Sequence, residues 1–286
     1  MRCFQATEWG FDMFDFHIHS EHSPDSVQTL DEICRSAIDK GLRGIAICDH
    51  VDMWFFDREN TYTCMQNCIC DVRRVKEKYG NTLEIFQGVE MAEYLYDPKR
   101  AESILQLCAY DVILGSVHSV IYEDITDSYS RIDFSDMTES KIYGFLSEYF
   151  SKIIEMIEKT NFDVLSHLTC PLRYINGKYG RNIDILRWKN EIITIFEWIV
   201  KKGIALEVNA SGVGDFYEKY MPDENLLHMY KEIGGELITI GSDAHTPQKI
   251  GNVFAQTKQM LGDIGFGAYY YYKERTPCAV ALSSFF

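Results

Sequence analysis

Short apolar runs and helical periodicities alternate along nearly the whole chain. FDFHIH (residues 14–19) is followed by TLDEICRSAIDKG (29–41), whose Leu30, Ile33, Cys34, Ala37 and Ile38 recur at helical spacing. Lys40 and Gly41 end that helix with a basic residue and a glycine, a common C-terminal signal. GIAICDH (44–50) is then nearly continuous in apolar residues, as expected of a strand buried on both faces. LEIFQGVE (83–90), YDVILGSVH (110–118), FDVLSH (162–167), IALEVNAS (204–211) and LITIGSDAH (237–245) repeat the strand pattern. Helical stretches are predicted between them near 98–108, 138–160, 183–202 and 223–234.

The alternation makes seven β/α units and implies an α/β fold with a parallel sheet and right-handed crossovers. Seven units, with polar residues clustered just after the strands, favour a closed barrel over an open sheet. The active site of a barrel is built at the C-terminal ends of its strands. The tail AYYYYKERTPCAVAL (268–282) reads as one or two further strands. Pro277 keeps that point out of a central hydrogen-bonded position, so residues 268–286 are expected to form a covering or edge element. No repeat, low-complexity tract or Pro/Gly-rich linker divides the chain. It is read as a single domain over 1–286, with 1–12 as an N-terminal extension and Met13 close enough to the first strand to serve as an alternative start.

A length of 286 residues with 46% hydrophobic content is enough to bury a substantial core. No apolar run approaches a membrane span. The first residues, with Arg2 as their sole positive charge and Glu8 and Asp12 among them, are not a secretory signal. A net charge of −15 argues against a general nucleic-acid binder, because phosphate backbones are gripped by basic surface. Nine cysteines without regular spacing fit a reducing, cytoplasmic setting rather than a disulfide scaffold. Cys64, Cys68 and Cys70 lack the paired C-x-x-C form of a zinc knuckle and read as a helical turn.

The histidines change the picture. Six of the eight lie at strand ends: His17, His19, His50, His118, His167 and His245. A further strand end, LEIFQGVE, delivers Glu90 instead. Imidazole and carboxylate donors hold Zn, Mn or Fe, and a multiply anchored metal draws its ligands from distant chain positions. His17 and His19 are two apart on a strand, so both side chains leave the same face. Asp243 and His245 repeat that spacing after the last strand.

In order along the chain, H-x-H, G-V-E, G-S-V-H, S-H and G-S-D-A-H resemble the motifs of the polymerase and histidinol phosphatase (PHP) family, over residues 15 to 250. HIHSEHSPDS, ALEVNASG, ELITIGSDAHTPQKIG and the late R-x-P resemble its histidinol-phosphatase branch. The resemblance implies a distorted (β/α)7 barrel with two or three divalent transition-metal ions (Zn, Mn or Fe). By position, His17, His19, Glu90 and Asp243 would hold the first metal, with Glu90 bridging to a second completed by His118 and His167. Asp25, His50 and His245 would hold the third. By residue type alone, Asp25 in SPDS is equally at home as a turn residue or helix N-cap.

The resemblance implies a phosphomonoesterase that hydrolyses L-histidinol phosphate in histidine biosynthesis, with a metal-activated water in place of a Ser or Cys nucleophile. Its partner would be a small-molecule phosphate ester, with neither nucleic acid nor membrane involved. Another small phosphate ester or a nucleotide is the alternative substrate, and a non-catalytic metal-binding barrel the alternative role. Arg173 matches the branch's substrate-binding arginine, and its planar fork suits a phosphate. His22 stands either at the phosphate or idle in an exposed loop; His228, in LLHMYKEI, belongs to a helix surface. Where the branch often carries a second arginine, after ALEVNASG, this chain has Val213 and Gly214. A second phosphate contact is then either missing or supplied elsewhere, with Arg181 and Lys178 as the candidates. Glu207 and Asn209, two apart, either line the pocket or hydrogen-bond within the barrel.

Overall fold

A computed structural model describes residues 13–282. The proposed extension 1–12 and the last four residues of the proposed C-terminal cover lie outside the described residues. Seven parallel staves form a nearly closed barrel in chain order: β1 (Phe14–Ile18), β2 (Gly44–Ile47), β4 (Glu84–Ala92), β5 (Val112–Ser116), β6 (Val164–Leu165), β7 (Ala205–Asn209) and β8 (Ile238–Gly241). Closure between β8 and β1 comes from two backbone bonds, Asp243 N to His17 O at 2.8 Å and His19 N to Ala244 O at 3.1 Å. The α/β barrel read from the strand–helix alternation is therefore the observed fold.

The helices that return the chain outside the barrel are α1 (Leu30–Asp39), α2 (Thr61–Tyr79), α3 (Pro98–Leu105), α4 (Glu139–Lys159), the short α5 (Cys170–Leu172), α6 (Lys189–Lys202), α7 (Glu224–Glu232) and α8 (Phe254–Ile264). Every inward and outward position of the barrel strands is buried or nearly so, which is why the sequence shows continuous apolar runs rather than alternation. Helix α1 starts at a capping box: Thr29 Oγ1 accepts from Glu32 N, and Glu32 accepts from Thr29 N. Thr29 and not Asp25 caps that helix. The three clustered cysteines sit on α2, with Cys68 buried and Cys70 exposed.

Two departures from the sequence reading matter. GIAICDH is not one strand: β2 ends at Ile47, and a separate β3 (His50–Asp52) pairs with β4 in the register His50↔Glu90. The break is held by Asp49, whose carboxylate accepts from Ser20 N, Ser20 Oγ and Ser23 Oγ at 2.6, 2.6 and 2.8 Å. Helix α2 also extends far beyond the single cysteine turn. The tail folds as the hairpin β9 (Ala268–Lys273) and β10 (Thr276–Ala281), with Pro277 in β10 opposite Tyr272. It closes the N-terminal end of the barrel. Phe14 N donates to Tyr269 Oη at 3.1 Å, Tyr271 stacks on the Phe14 ring at 4.1 Å, and Arg275 pairs with Asp163. The opposite end is left for chemistry. Among the described residues no helix is long and apolar enough to cross a membrane.

Candidate metal centre

Nine side chains meet at the C-terminal ends of the strands. His17 lies in β1 and His19 just past it; His50 opens β3 and Glu90 stands near the end of β4. His118 and His167 each come two residues after β5 and β6, and Asp243 and His245 follow β8. Asp25 reaches in from the turn after β1. His167 and Asp243 adopt positive φ, 23° and 51°, a conformation disfavoured for side chains with a Cβ. Their backbone bends to turn the donor groups inward.

Glu90 is the hub. It is fully buried, and its Oε1 lies 2.7 Å from His167 Nε2 and 3.0 Å from His118 Nε2. Its Oε2 lies 2.7 Å from His50 Nδ1, 3.4 Å from His17 Nε2 and 3.7 Å from His19 Nε2. Asp243 Oδ1 stands 3.1 Å from His19 Nε2. Asp25 spans His245 Nε2 at 3.3 Å and His50 Nε2 at 3.6 Å. Four overlapping triads have donor atoms within 4.8 Å of one another: His17/His19/Asp243, His17/Glu90/His167, His50/Glu90/His118 and His19/His50/His245.

The residues behind this cluster set which ring nitrogen faces inward. His17 Nδ1 is 2.7 Å from Glu207 Oε1, His118 Nδ1 is 2.9 Å from Asp52 Oδ1, and His19 Nδ1 is 3.2 Å from Ser23 Oγ. His245 Nδ1 donates to the Asp243 carbonyl at 2.9 Å. Such outer partners fix the tautomer and orientation of metal-binding imidazoles. Glu207 is buried and also accepts from His167 N at 2.8 Å, so it braces two of the nine at once. Gly241 makes room for it, since a Cβ there would lie 2.2 Å from Glu207 Oε1 and 2.6 Å from His17 Cβ. Asn209 donates to Glu207 and Asp243. The pair therefore works by hydrogen bonding inside the barrel and does not line the cavity.

Whether this set suits metal ions can be read from its unmet polar atoms. His17 Nε2, His19 Nε2, His50 Nδ1, His245 Nε2 and Glu90 Oε2 are buried and, despite approaches as close as 2.7 Å, none has a partner at hydrogen-bonding geometry. Orphaned polar atoms are costly, and five facing one another are what a shared cation satisfies. The field has the right sign too. Burial favours neutral Glu90, but His118, His17 and His50 outweigh it and hold the carboxyl well below its usual range. Burial likewise disfavours protonated His17, yet Glu207, Glu90 and Asp243 raise it well above an ordinary histidine. His19, desolvated and crowded by His50 and His245, falls to about 4. All donors are N or O, suited to Zn, Mn or Fe.

A cavity of about 100 Å³ opens over these residues, and Arg173, Arg131, Tyr129 and Tyr174 are in its wall. Arg173 heads the π-helical turn Arg173–Lys178 and is held by Asp215 and Ser211. The candidate replacements for the second arginine are elsewhere: Arg181 donates to the Ser135 and Met137 carbonyls, and Lys178 lies over the Tyr179 ring. Neither lines the cavity, and Arg131 does. His22 is not in the wall either; its Nε2 is 3.0 Å from Asp71 Oδ2 on α2, which draws the ring away from the nine. His228 is exposed on α7. Asp52, Ser23, Asp215 and Arg131 were not singled out in the sequence, although Asp52 shares the His50 face of β3 by simple alternation. A larger neighbouring cavity, about 400 Å³, is mostly apolar and contains none of the nine.

The PHP domain family model matches residues 15–211, more than half of the chain. The chain belongs to the PHP domain family. This PHP domain is 27% identical over 254 residues to a Thermotoga maritima protein named "probable histidinol-phosphatase", covering 89% of this chain and 93% of that one. It is 23% identical over 259 residues to the histidinol-phosphatase of Lactococcus lactis subsp. lactis, covering 88% and 91%. A crystal structure of histidinol phosphate phosphatase from the same organism, complexed with zinc, L-histidinol and phosphate, matches this PHP domain with a TM-score of 0.72 at 18% identity. That match covers 93% of this chain and 99% of the other. The chain is thus a PHP-family phosphoesterase related to histidinol-phosphatases.

Proposed function

We propose that this PHP domain is a metal-dependent phosphomonoesterase that converts L-histidinol phosphate and water to L-histidinol and phosphate. The observation that carries the reading is the convergence of the orphaned, buried nitrogens of His17, His19 and His50 on the orphaned Oε2 of Glu90, below a cavity whose wall includes Arg131 and Arg173. The relative crystallised with zinc, L-histidinol and phosphate supports the choice of substrate.

His17, His19, Glu90 and Asp243 would hold one ion, Glu90 with His118 and His167 a second, and Asp25, His50 and His245 a third. Bound there, divalent ions supply Lewis acidity toward phosphoryl oxygens and lower the pKa of water. The chain's own residues do the rest. Glu207, Asp52 and Ser23 keep the correct imidazole nitrogens inward, and Arg173, pre-aimed by Asp215, offers N–H donors to the phosphate. The buried floor of the site restricts solvent and strengthens each charge interaction.

Metal-replete protein should turn over L-histidinol phosphate with kcat/KM on the order of 100-fold above that for sugar phosphates and nucleoside monophosphates. Such a margin is within what complementary polar contacts provide. Preference for another ester would replace the substrate and keep the chemistry. No hydrolysis of any phosphomonoester by metal-loaded protein would overturn the reading.

A further inference from the structure

Two guanidinium groups face the cavity, and they are not equivalent. Arg173 arrives already engaged: Nε and Nη2 lie 2.9 and 2.7 Å from Asp215 Oδ2, and Nη1 donates to Ser211 Oγ at 3.2 Å. Much of its charge and directional capacity is spent on that carboxylate. Arg131 is less tightly held. It forms longer ion pairs with Glu59 and Asp127, at 3.6 and 3.7 Å, beyond hydrogen-bond reach, and Glu59 Oε1 already accepts from Arg58 at 3.2 Å.

The base of Arg131 is nevertheless fixed. Its segment, between β5 and α4, is tied to a metal-ligand position: Tyr129 N donates to the His118 carbonyl at 3.0 Å, and Arg131 N donates to the Ser128 carbonyl at 2.9 Å. The guanidinium rests over the Phe55 ring, 4.7 Å from its centroid. An anchored stem, an aromatic platform and N–H donors hydrogen-bonded to neither carboxylate at a cavity wall are the properties of an anion-binding arginine.

We propose that Arg131 is the second phosphate-binding guanidinium of this site, delivered from the β5–α4 segment where Val213 and Gly214 supply no cation. The assignment rests on the phosphomonoesterase reading and deepens it. Arg173 fixes orientation with donors shared with Asp215, and Arg131, ion-paired to Glu59 and Asp127 but hydrogen-bonded to neither, supplies N–H donors that can turn to the phosphate. Its stem keeps contact with Phe55 while its donors turn onto the phosphoryl oxygens.

Inorganic phosphate, titrated calorimetrically into metal-loaded protein, is the probe. Arg131→Ala and Arg131→Gln should each weaken phosphate binding roughly 10- to 150-fold, the range of a lost charge-assisted hydrogen bond. kcat/KM for phosphomonoesters should fall in parallel, with metal content and melting temperature unchanged. Arg131→Lys should restore part of the affinity, since the charge returns without the fork. Gln keeps a stem over Phe55 and separates charge from loop packing. Phosphate affinity kept by the Gln variant overturns the proposal, even if the Ala variant has lost it. Phosphate affinity that depends on Arg131 in a protein hydrolysing no ester upholds the anion site and sinks the phosphomonoesterase reading instead.

Discussion

Glu90 and Glu207 show how two buried carboxylates of one barrel divide a task by depth. Glu90 faces five imidazoles with both oxygens; Glu207 touches the backs of two ligand positions and never reaches the cavity. Glu207→Gln, which keeps the shape and removes the charge that orients His17, should cost about 10- to 100-fold in metal affinity or turnover, as outer-shell changes do. Glu90→Gln should exceed that range and lose bound metal outright. His228→Ala, on the exposed face of α7, should leave both unchanged. Metal analysis and steady-state kinetics on the three variants check the order, and equal behaviour of Glu90→Gln and His228→Ala would sink the site. The inner layer was legible in the sequence because its residue types are rare and sit in one setting, the end of an apolar run. Asp52, Ser23 and Asp215 were not, because a lone Asp or Ser beside a loop is ordinary until the fold shows which ring or guanidinium it touches.

At the scale of elements, periodicity located the strands and most helices but not their interruptions. The break at Cys48 and Asp49 lies inside an apolar run, and its cause is remote: Asp49 is held by Ser20 and Ser23 from the segment after β1. The helical turn Arg173–Lys178 is equally silent in sequence, and it is what carries Arg173 to the cavity. π-Helical turns recur at functional sites because the widened turn redirects a side chain. Arg173→Ala should lower kcat/KM for phosphate esters roughly 10- to 150-fold with metal content intact, and Arg173→Lys should recover part. Asp215→Asn should cost less, because the charge of Arg173 survives while its aim is lost. Unchanged kinetics in the Ala variant would leave Arg173 as a bracket for Asp215 and Ser211.

For the whole molecule, the two ends of the barrel have opposite roles. The hairpin seals the lower end with tyrosines and an Arg275–Asp163 pair, while the upper end concentrates buried imidazoles and carboxylates whose unmet polar atoms suit cations. A ligand at about 1,000 times its Kd adds roughly 4 kcal/mol, so metal-loaded protein should melt on the order of 10 °C above chelated protein. The gap should depend on pH. In chelated protein, burial works against charged His17, His50 and His118, but Glu90, with Glu207, Asp25 and Asp52, outweighs it and raises all three well above the usual histidine value. A raised folded-state value means that this contribution is complete below about pH 6.5 and fades as pH climbs through the elevated values. Metal binding runs the other way, since it requires neutral rings. The melting difference should therefore widen from about pH 6 to pH 8, and scanning calorimetry of loaded and chelated protein across that window checks it. A difference that narrowed would mean that the imidazoles titrate independently of the metals, and the nine donors would not form one centre.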